Sequence, residues 1–512
     1  MISSSHPACP HLLRDAGWLF IVLLLAGLWN LEGPEFWWDE GWTLSVARNF
    51  VERGHYGRLL DGQPAPYGLE ASPVVTLPVA FMFQVFGIGL WQGRLPGVIC
   101  AALAVAVVFV LAAQLHDRRI AWGTVAVLLL LPAHPQLNPL LIGRQALGEM
   151  PMLLLLAGGY LCLAGALRGR ALWIFPAALL WSLALLAKAQ TLPFWAASLA
   201  GGTLMALALR QWRAAVLVAA GAVLAYGARP WVMTLVMSPV AGRTLPGVEV
   251  SGIYEVTAFV PQFSNRLFAL QMLLLGGVPT IAGLGYGAWR IVQDVRRGRR
   301  DDFVVLRAAL LALAGSWLAW YALLSVGVPR YLFPAVFAAG IFTTVLLHDL
   351  SGGFRLGYVV RCLAAPLRER RLTRPGAGAW LATLLVAMAV PLTLLSYQRY
   401  YAEDDRAALR VAAYLNDATA PDALIETYES ELHFLLHRPY HYPPDQVHVE
   451  LNRRSLLGRE TLIAYDPLAA DPDYLVVGRF AAGNGLYAGA IAAGAFREVR
   501  REGRYVVFER VQ

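Results

Sequence analysis

Twelve apolar runs, divided by short polar connectors, organise the first 400 residues. They lie near 17–32, 73–92, 94–114, 120–138, 151–167, 171–187, 191–209, 214–236, 267–289, 304–327, 331–347 and 380–397. Most approach the roughly 20 residues that carry an α-helix across a bilayer. The connectors His116–Arg119, Arg168–Arg170, Arg210–Arg213, Arg290–Arg300 and Arg355–Arg374 are basic. Lys and Arg collect in cytoplasmic loops, so these connectors belong on one side of the membrane. If the run 73–92 crossed fully, the later basic loops would be inverted. Pro73, Pro78, Gln84, Gly87 and Gly89 also make that run a poor straight span. The pattern therefore predicts an interfacial or shallow re-entrant helix at 73–92 and about eleven transmembrane helices. The first outer loop then covers about 32–93. Residues 144–149, Lys188, 237–266, Arg330 and the C-terminal region also fall outside.

Beyond Tyr397 the periodicity changes. A helical stretch at Ala407–Leu415 and β-like runs at Tyr474–Gly478 and Tyr505–Phe508 predict a small α/β domain. The fold class is an all-α polytopic membrane protein (residues 1–397) followed by an extracytoplasmic α/β domain (residues 398–512). Composition agrees, with 58% hydrophobic and 15% charged residues. The net charge of +8 raises nucleic acid as a partner. The arginines instead cluster at the ends of apolar runs, a topology signal, so no nucleic-acid partner is expected. Cys9, Cys100, Cys162 and Cys362 are scattered and give neither a disulfide framework nor zinc spacing. The run from about Gly17 to Leu31 lacks a small-residue cleavage site and reads as a retained helix.

Four polar groups share the outer side under this topology. Asp39 and Glu40 sit within Phe36-Trp37-Trp38-Asp39-Glu40-Gly41-Trp42, where the chain leaves the membrane. Carboxylates at such a boundary are costly unless used, although an acidic pair also suits a helix start. Arg144 and Glu149 flank a short loop and are too far apart for a same-face helix pair; wetting a loop end is the plainer role. Lys188 is the sole lysine. It could snorkel outward, but a compact ammonium in an Arg-using chain favours phosphate contact. Arg330-Tyr331, inside Pro-Arg-Tyr-Leu-Phe-Pro, offers a bidentate anion ligand and a hydroxyl, or an interfacial anchor. His433, His437, His441 and His448 lack a metalloprotease signature and read as structural. Gly483–Gly494 reads as a loop.

The order of short motifs resembles the GT-C superfamily of glycosyltransferases that use polyprenyl-phosphate-linked sugars. It is most similar to the dolichyl-phosphate-mannose protein mannosyltransferase-like and lipid A aminoarabinose transferase groups. The likeness runs over most of residues 15–350: Trp38-Asp39-Glu40, Gly54, Ser72-Pro73, Phe86-Gly87, Arg94-Leu95-Pro96, Arg144 with Glu149-Met150-Pro151, Lys188 and Arg330-Tyr331. It implies horizontal helices in the first outer loop and a multi-pass protein of the bacterial cytoplasmic (inner) membrane. It also implies an extracytoplasmic site using a polyprenyl-phosphate sugar donor and an envelope acceptor. By position, Asp39 corresponds to the base with Glu40 beside it, and Glu149 to a second acidic residue. Lys188, Arg330 and Arg144 then face the donor phosphate, with Tyr331 beside them. Some relatives hold a metal, so Mg²⁺ or Mn²⁺ on Asp39 and Glu149 is a further expectation. Gly41-Trp42 departs from the small and aromatic residues that follow the acidic pair in close relatives.

The reaction this implies is a single inverting displacement by an acceptor hydroxyl of a glycan, lipid or protein. The alternative is a multispan transporter or flippase of lipid-linked sugars. Against it, no inverted repeat is visible and the charged groups gather at one face instead of mid-depth.

Overall fold

The computed structural model describes residues 10–299, 301–369 and 373–511. Cys9, Arg300 and Arg370–Arg371 of the sequence reading lie outside them. The bundle is built from α1 (Pro10–Leu28), α2 (Trp38–Arg53), α3 (Pro73–Phe86), α4 (Leu90–Leu115), α5 (Arg118–Leu130), α6 (Pro139–Ile142), α7 (Glu149–Leu167), α8 (Ile174–Ala187) and α9 (Thr191–Ala208). It continues through α10 (Trp212–Met237), α11 (Ile253–Thr257), α12 (Phe263–Met272), α13 (Val278–Arg296), α14 (Asp302–Leu324), α15 (Pro329–Leu350), α16 (Leu356–Glu369) and α17 (Arg374–Ala402). A two-stranded hairpin, β1 (Leu59–Leu60) and β2 (Gln63–Pro64), follows α2.

Among the described residues nine helical segments are long and apolar enough to cross a membrane. The other two expected crossings form the shorter helices α5, of 13 residues, and α8, of 14. The run at 73–92 becomes α3, whose 14 residues reach only about 21 Å at 1.5 Å per residue. That is short of a bilayer core of about 30 Å, as are the lengths of α5 and α8. Ser72 caps it and Gly87, at φ 83°, ends it.

The basic connectors meet one another. Arg118 pairs with Asp15 at 2.6 Å, Arg168 donates to Gln114 O at 3.1 Å, and Arg213 to Ala166 O at 3.4 Å. Arg307 reaches Asp294 at 3.1 Å and Arg290 reaches Asp349 at 2.8 Å. They occupy one end of the bundle, while Asp39, Glu149, Lys188 and Arg330 lie at the other.

The C-terminal domain comprises α18 (Ala407–Ala418), α19 (Ser430–Leu435), α20 (Asp445–Leu457), α21 (Arg479–Asn484) and α22 (Ala488–Ala492) around five strands. These are β3 (Ile425–Thr427), β4 (Tyr440–His441), β5 (Tyr474–Val477), β6 (Phe496–Glu502) and β7 (Tyr505–Arg510), in the order β4-β3-β5-β7-β6. β3 runs parallel to β4 and β5, and β7 antiparallel to β5 and β6. The glycine-rich stretch read as a loop forms part of α21 and all of α22. Tyr487 within it is buried in the same apolar cluster as Trp38.

Two features fix this domain to the bundle. α19 packs so closely on α2 that a Cβ at Gly41 would overlap the Ser430 carbonyl and the Glu431 nitrogen. Residues 30–35 clasp residues 401–405: Asn30 Nδ2 donates to Tyr401 O at 3.0 Å and Glu403 O at 2.9 Å, and Asp405 N donates to Gly33 O at 2.9 Å.

Candidate active site

Asp39 enters from the first turn of α2, where the helix dipole favours a carboxylate. Its Oδ2 accepts from the Trp37 indole N–H at 3.1 Å and from Arg330 Nη1. No protein partner is bonded to Oδ1 among the described residues. Burial alone would raise the Asp39 pKa, but the Arg330 guanidinium and the Trp37 donor outweigh it and hold the group below 3.8.

Arg330 stands in the first turn of α15. Gly327, at φ 84°, and Pro329 at the helix start bring the chain sharply into that turn. The guanidinium lies over the Tyr331 ring, 5.4 Å from its centroid, and Lys188 Nζ lies 5.5 Å from the same ring. Arg330 Nε is buried without a hydrogen-bond partner. Lys188, extended just after α8, ion-pairs with Glu149 in the first turn of α7. The residues thus form one line, Asp39–Arg330–Tyr331–Lys188–Glu149. Five sequence candidates from four chain-distant segments meet here, with Asp39, Arg330 and Lys188 each 18–25% exposed in their side chains.

Two candidates have other surroundings. Glu40 is fully buried: Arg94 Nε and Nη2 grip its two oxygens at 2.9 and 2.8 Å, and Ala146 N and Trp37 N donate at 3.0 Å each. These bonds hold Glu40 at the start of α2, the turn that also carries Asp39. Arg144 is also fully buried, but over the rings of Tyr401 and Tyr400 at 4.4 and 5.4 Å, with Nη2 donating to Asn30 O at 2.5 Å. Among the described residues no hydrogen bond or ion pair joins it to the Asp39–Glu149 line.

A metal does not fit Asp39 and Glu149. Each carboxylate is already neutralised by a cation, and neither belongs to a cluster of three ligand-bearing side chains among the described residues. The one such cluster described, Glu35, Glu403 and Asp405, is bridged by Arg504 at 2.5 Å to Glu35 and 3.0 Å to Asp405. The four histidines stay apart. His433 stacks on Tyr440 at 4.7 Å, His437 meets Arg48, His441 pairs with Glu426 at 2.6 Å, and His448 bonds Tyr428.

No protein-family model matches the chain, and no curated protein matches it in sequence. Solved structures do. The crystal structure of ArnT from Cupriavidus metallidurans bound to undecaprenyl phosphate superposes with a TM-score of 0.63 at 16% identity, covering 97% of this chain and 98% of that one. The apo state of the same protein gives 0.61 at 16% identity with the same coverage. The apo oligosaccharyltransferase from Archaeoglobus fulgidus gives 0.53 at 14% identity, over 93% of this chain and 71% of that one. The chain has the GT-C fold.

Within this GT-C fold, the sequence reading leaves three site neighbours without a role. Arg94 was legible as a charge inside an apolar run, which usually marks a partner or a function. Trp37 and Phe480 were not. The indole's bond to Asp39 depends on the turn before α2, and Phe480 comes from the C-terminal domain to lie 5.8 Å from Trp37.

Proposed function

We propose that the protein is a membrane glycosyltransferase that moves a sugar from a polyprenyl-phosphate donor to an acceptor hydroxyl, with Asp39 as base. The observation that carries this reading is the Asp39–Arg330–Tyr331–Lys188–Glu149 line at the end of the bundle beside the C-terminal domain. By the positive-inside rule, the basic connectors at the far end support a site on the extracytoplasmic face of the bacterial inner membrane. The structural likeness to ArnT bound to undecaprenyl phosphate supports a lipid-linked donor.

The two ion pairs give the reaction an order. Donor phosphate competes with Asp39 for Arg330 and with Glu149 for Lys188. As phosphate takes Arg330, Asp39 loses the partner that depresses its basicity, so the base is released only when a donor is in place. The acceptor O–H bond then breaks toward Oδ1 while oxygen attacks the anomeric carbon. The sugar–phosphate C–O bond breaks, and its electron pair leaves on the polyprenyl phosphate between Arg330 and Lys188. One displacement inverts the anomeric centre. A polar line at one end of the bundle supports this reading over transport, which needs a site near mid-depth.

The test is transfer of labelled sugar from a polyprenyl-phosphate donor by the protein in lipid nanodiscs. Asp39→Asn is expected to lower kcat by about 10²–10⁴-fold, the usual worth of a general base. Near-normal turnover by that variant would remove Asp39 from the role.

A further inference from the structure

The phosphate chemistry leaves the rings beside Asp39 unused. Trp37 joins both domains: its indole N–H holds Asp39 Oδ2, and its ring meets Phe480 edge-on at 5.8 Å and 77°. Both ends of this pair are fixed. Glu40 Oε2 accepts the Trp37 main-chain N–H at 3.0 Å, and Glu429 Oε1 accepts the N–H groups of Phe480 and Ala481 at 3.0 and 2.8 Å. Trp38 lies in the core, covered by His448 at 5.1 Å and Trp42 at 4.6 Å, whereas Trp37 and Phe480 are only half-buried. Accessible aromatic surface therefore adjoins the carboxylate whose Oδ1 has no protein partner.

Resting on the reading of Asp39 as the transferase base, we infer that Trp37 and Phe480 form the acceptor wall and that the acceptor hydroxyl belongs to a sugar ring. A pyranose presents an apolar C–H face, which lies well on an aromatic ring, and hydroxyls around its edge. With that face on the indole, an edge hydroxyl reaches Oδ1. An alkyl alcohol or a Ser or Thr side chain offers no comparable flat face. Trp37 is also a positioning residue, since its N–H fixes the rotation of the Asp39 carboxylate.

The test uses the full chain in nanodiscs with methyl β-glucoside, methyl α-mannoside and methyl β-galactoside as probes, read by saturation-transfer NMR. Saturation is expected on the ring C–H protons of at least one glycoside. It should be lost in Phe480→Leu and retained in Phe480→Tyr, which keeps the ring. No transfer to any of the three in the unaltered protein, or an unchanged signal in Phe480→Leu, overturns the proposal. In the transfer assay, Trp37→Phe keeps a ring but loses the N–H, so the acid limb of kcat/KM should move to higher pH. An unmoved limb removes the positioning role. Glycoside binding that persists while Asp39→Asn transfers normally would instead overturn the base assignment alone.

Discussion

Two donors converge on one oxygen of Asp39, and the same economy of partners recurs at Glu40, where Arg94 takes both oxygens in a dry setting. Removing one member of such a pair strands the other. Arg94→Met is expected to destabilise the protein by about 3–5 kcal/mol, and adding Glu40→Gln should recover part of that loss. Thermal unfolding of the two variants in the same nanodiscs checks both statements. Lys188→Ala removes a charged contact worth roughly 1.5–3 kcal/mol, so donor affinity should fall about ten- to a hundredfold. Calorimetric titration with polyprenyl phosphate reads it, and unchanged affinity would return Lys188 to a lipid-facing anchor. At this scale the sequence shows which side chains are expensive at a membrane boundary: Asp39, Glu149, Lys188 and Arg330 all stand out. It does not show which are spent on each other. Glu40 and Asp39 are adjacent, yet a single helical step turns one toward Arg94 and the other toward Arg330.

Among elements, the helical runs were legible because apolar length in a bilayer leaves the backbone few options. The shortness of α3 was legible too, from its prolines and glycines. Less legible was the docking of α19 on α2, which depends on a missing side chain. Gly41 allows the two backbones to touch. Gly41→Ala is expected to push α19 away and carry Ser430 off its bond to the Trp38 carbonyl. Faster hydrogen exchange over 428–436, with the bundle helices unaffected, is the expected signature. Equal protection in both proteins would show that the interface yields without cost.

For the molecule as a whole, buried titratable groups in the C-terminal domain give stability two opposing pH dependences. Burial raises Glu429 to about 7 and Glu431 to about 8, from 4.5. Raised carboxyls bind protons on folding, so their contribution falls as pH rises from about 4.5 to about 8. Burial lowers His448 to about 4 and His433 to about 3, from 6.5. Their contribution is present above 6.5 and lost as pH falls toward those values. The slopes oppose each other between 4.5 and 6.5. Above 6.5 the carboxyl slope is joined by that of His441, where burial is outweighed by the pairing with Glu426 and the pKa is raised, so unfolding temperature should decline from pH 6.5 to 8. Glu431→Gln should flatten that decline, and an undiminished slope would assign it elsewhere. None of this was readable from residue order, because it depends on how deeply a five-stranded sheet covers four side chains.

The clasp between residues 30–35 and 401–405 reaches beyond stability. The chain leaves the bundle beside the point where its first helix ended, and the bonds there give the appended domain no swinging arm. Phe480 therefore stands next to Trp37 with no jaw that must shut to bring it there.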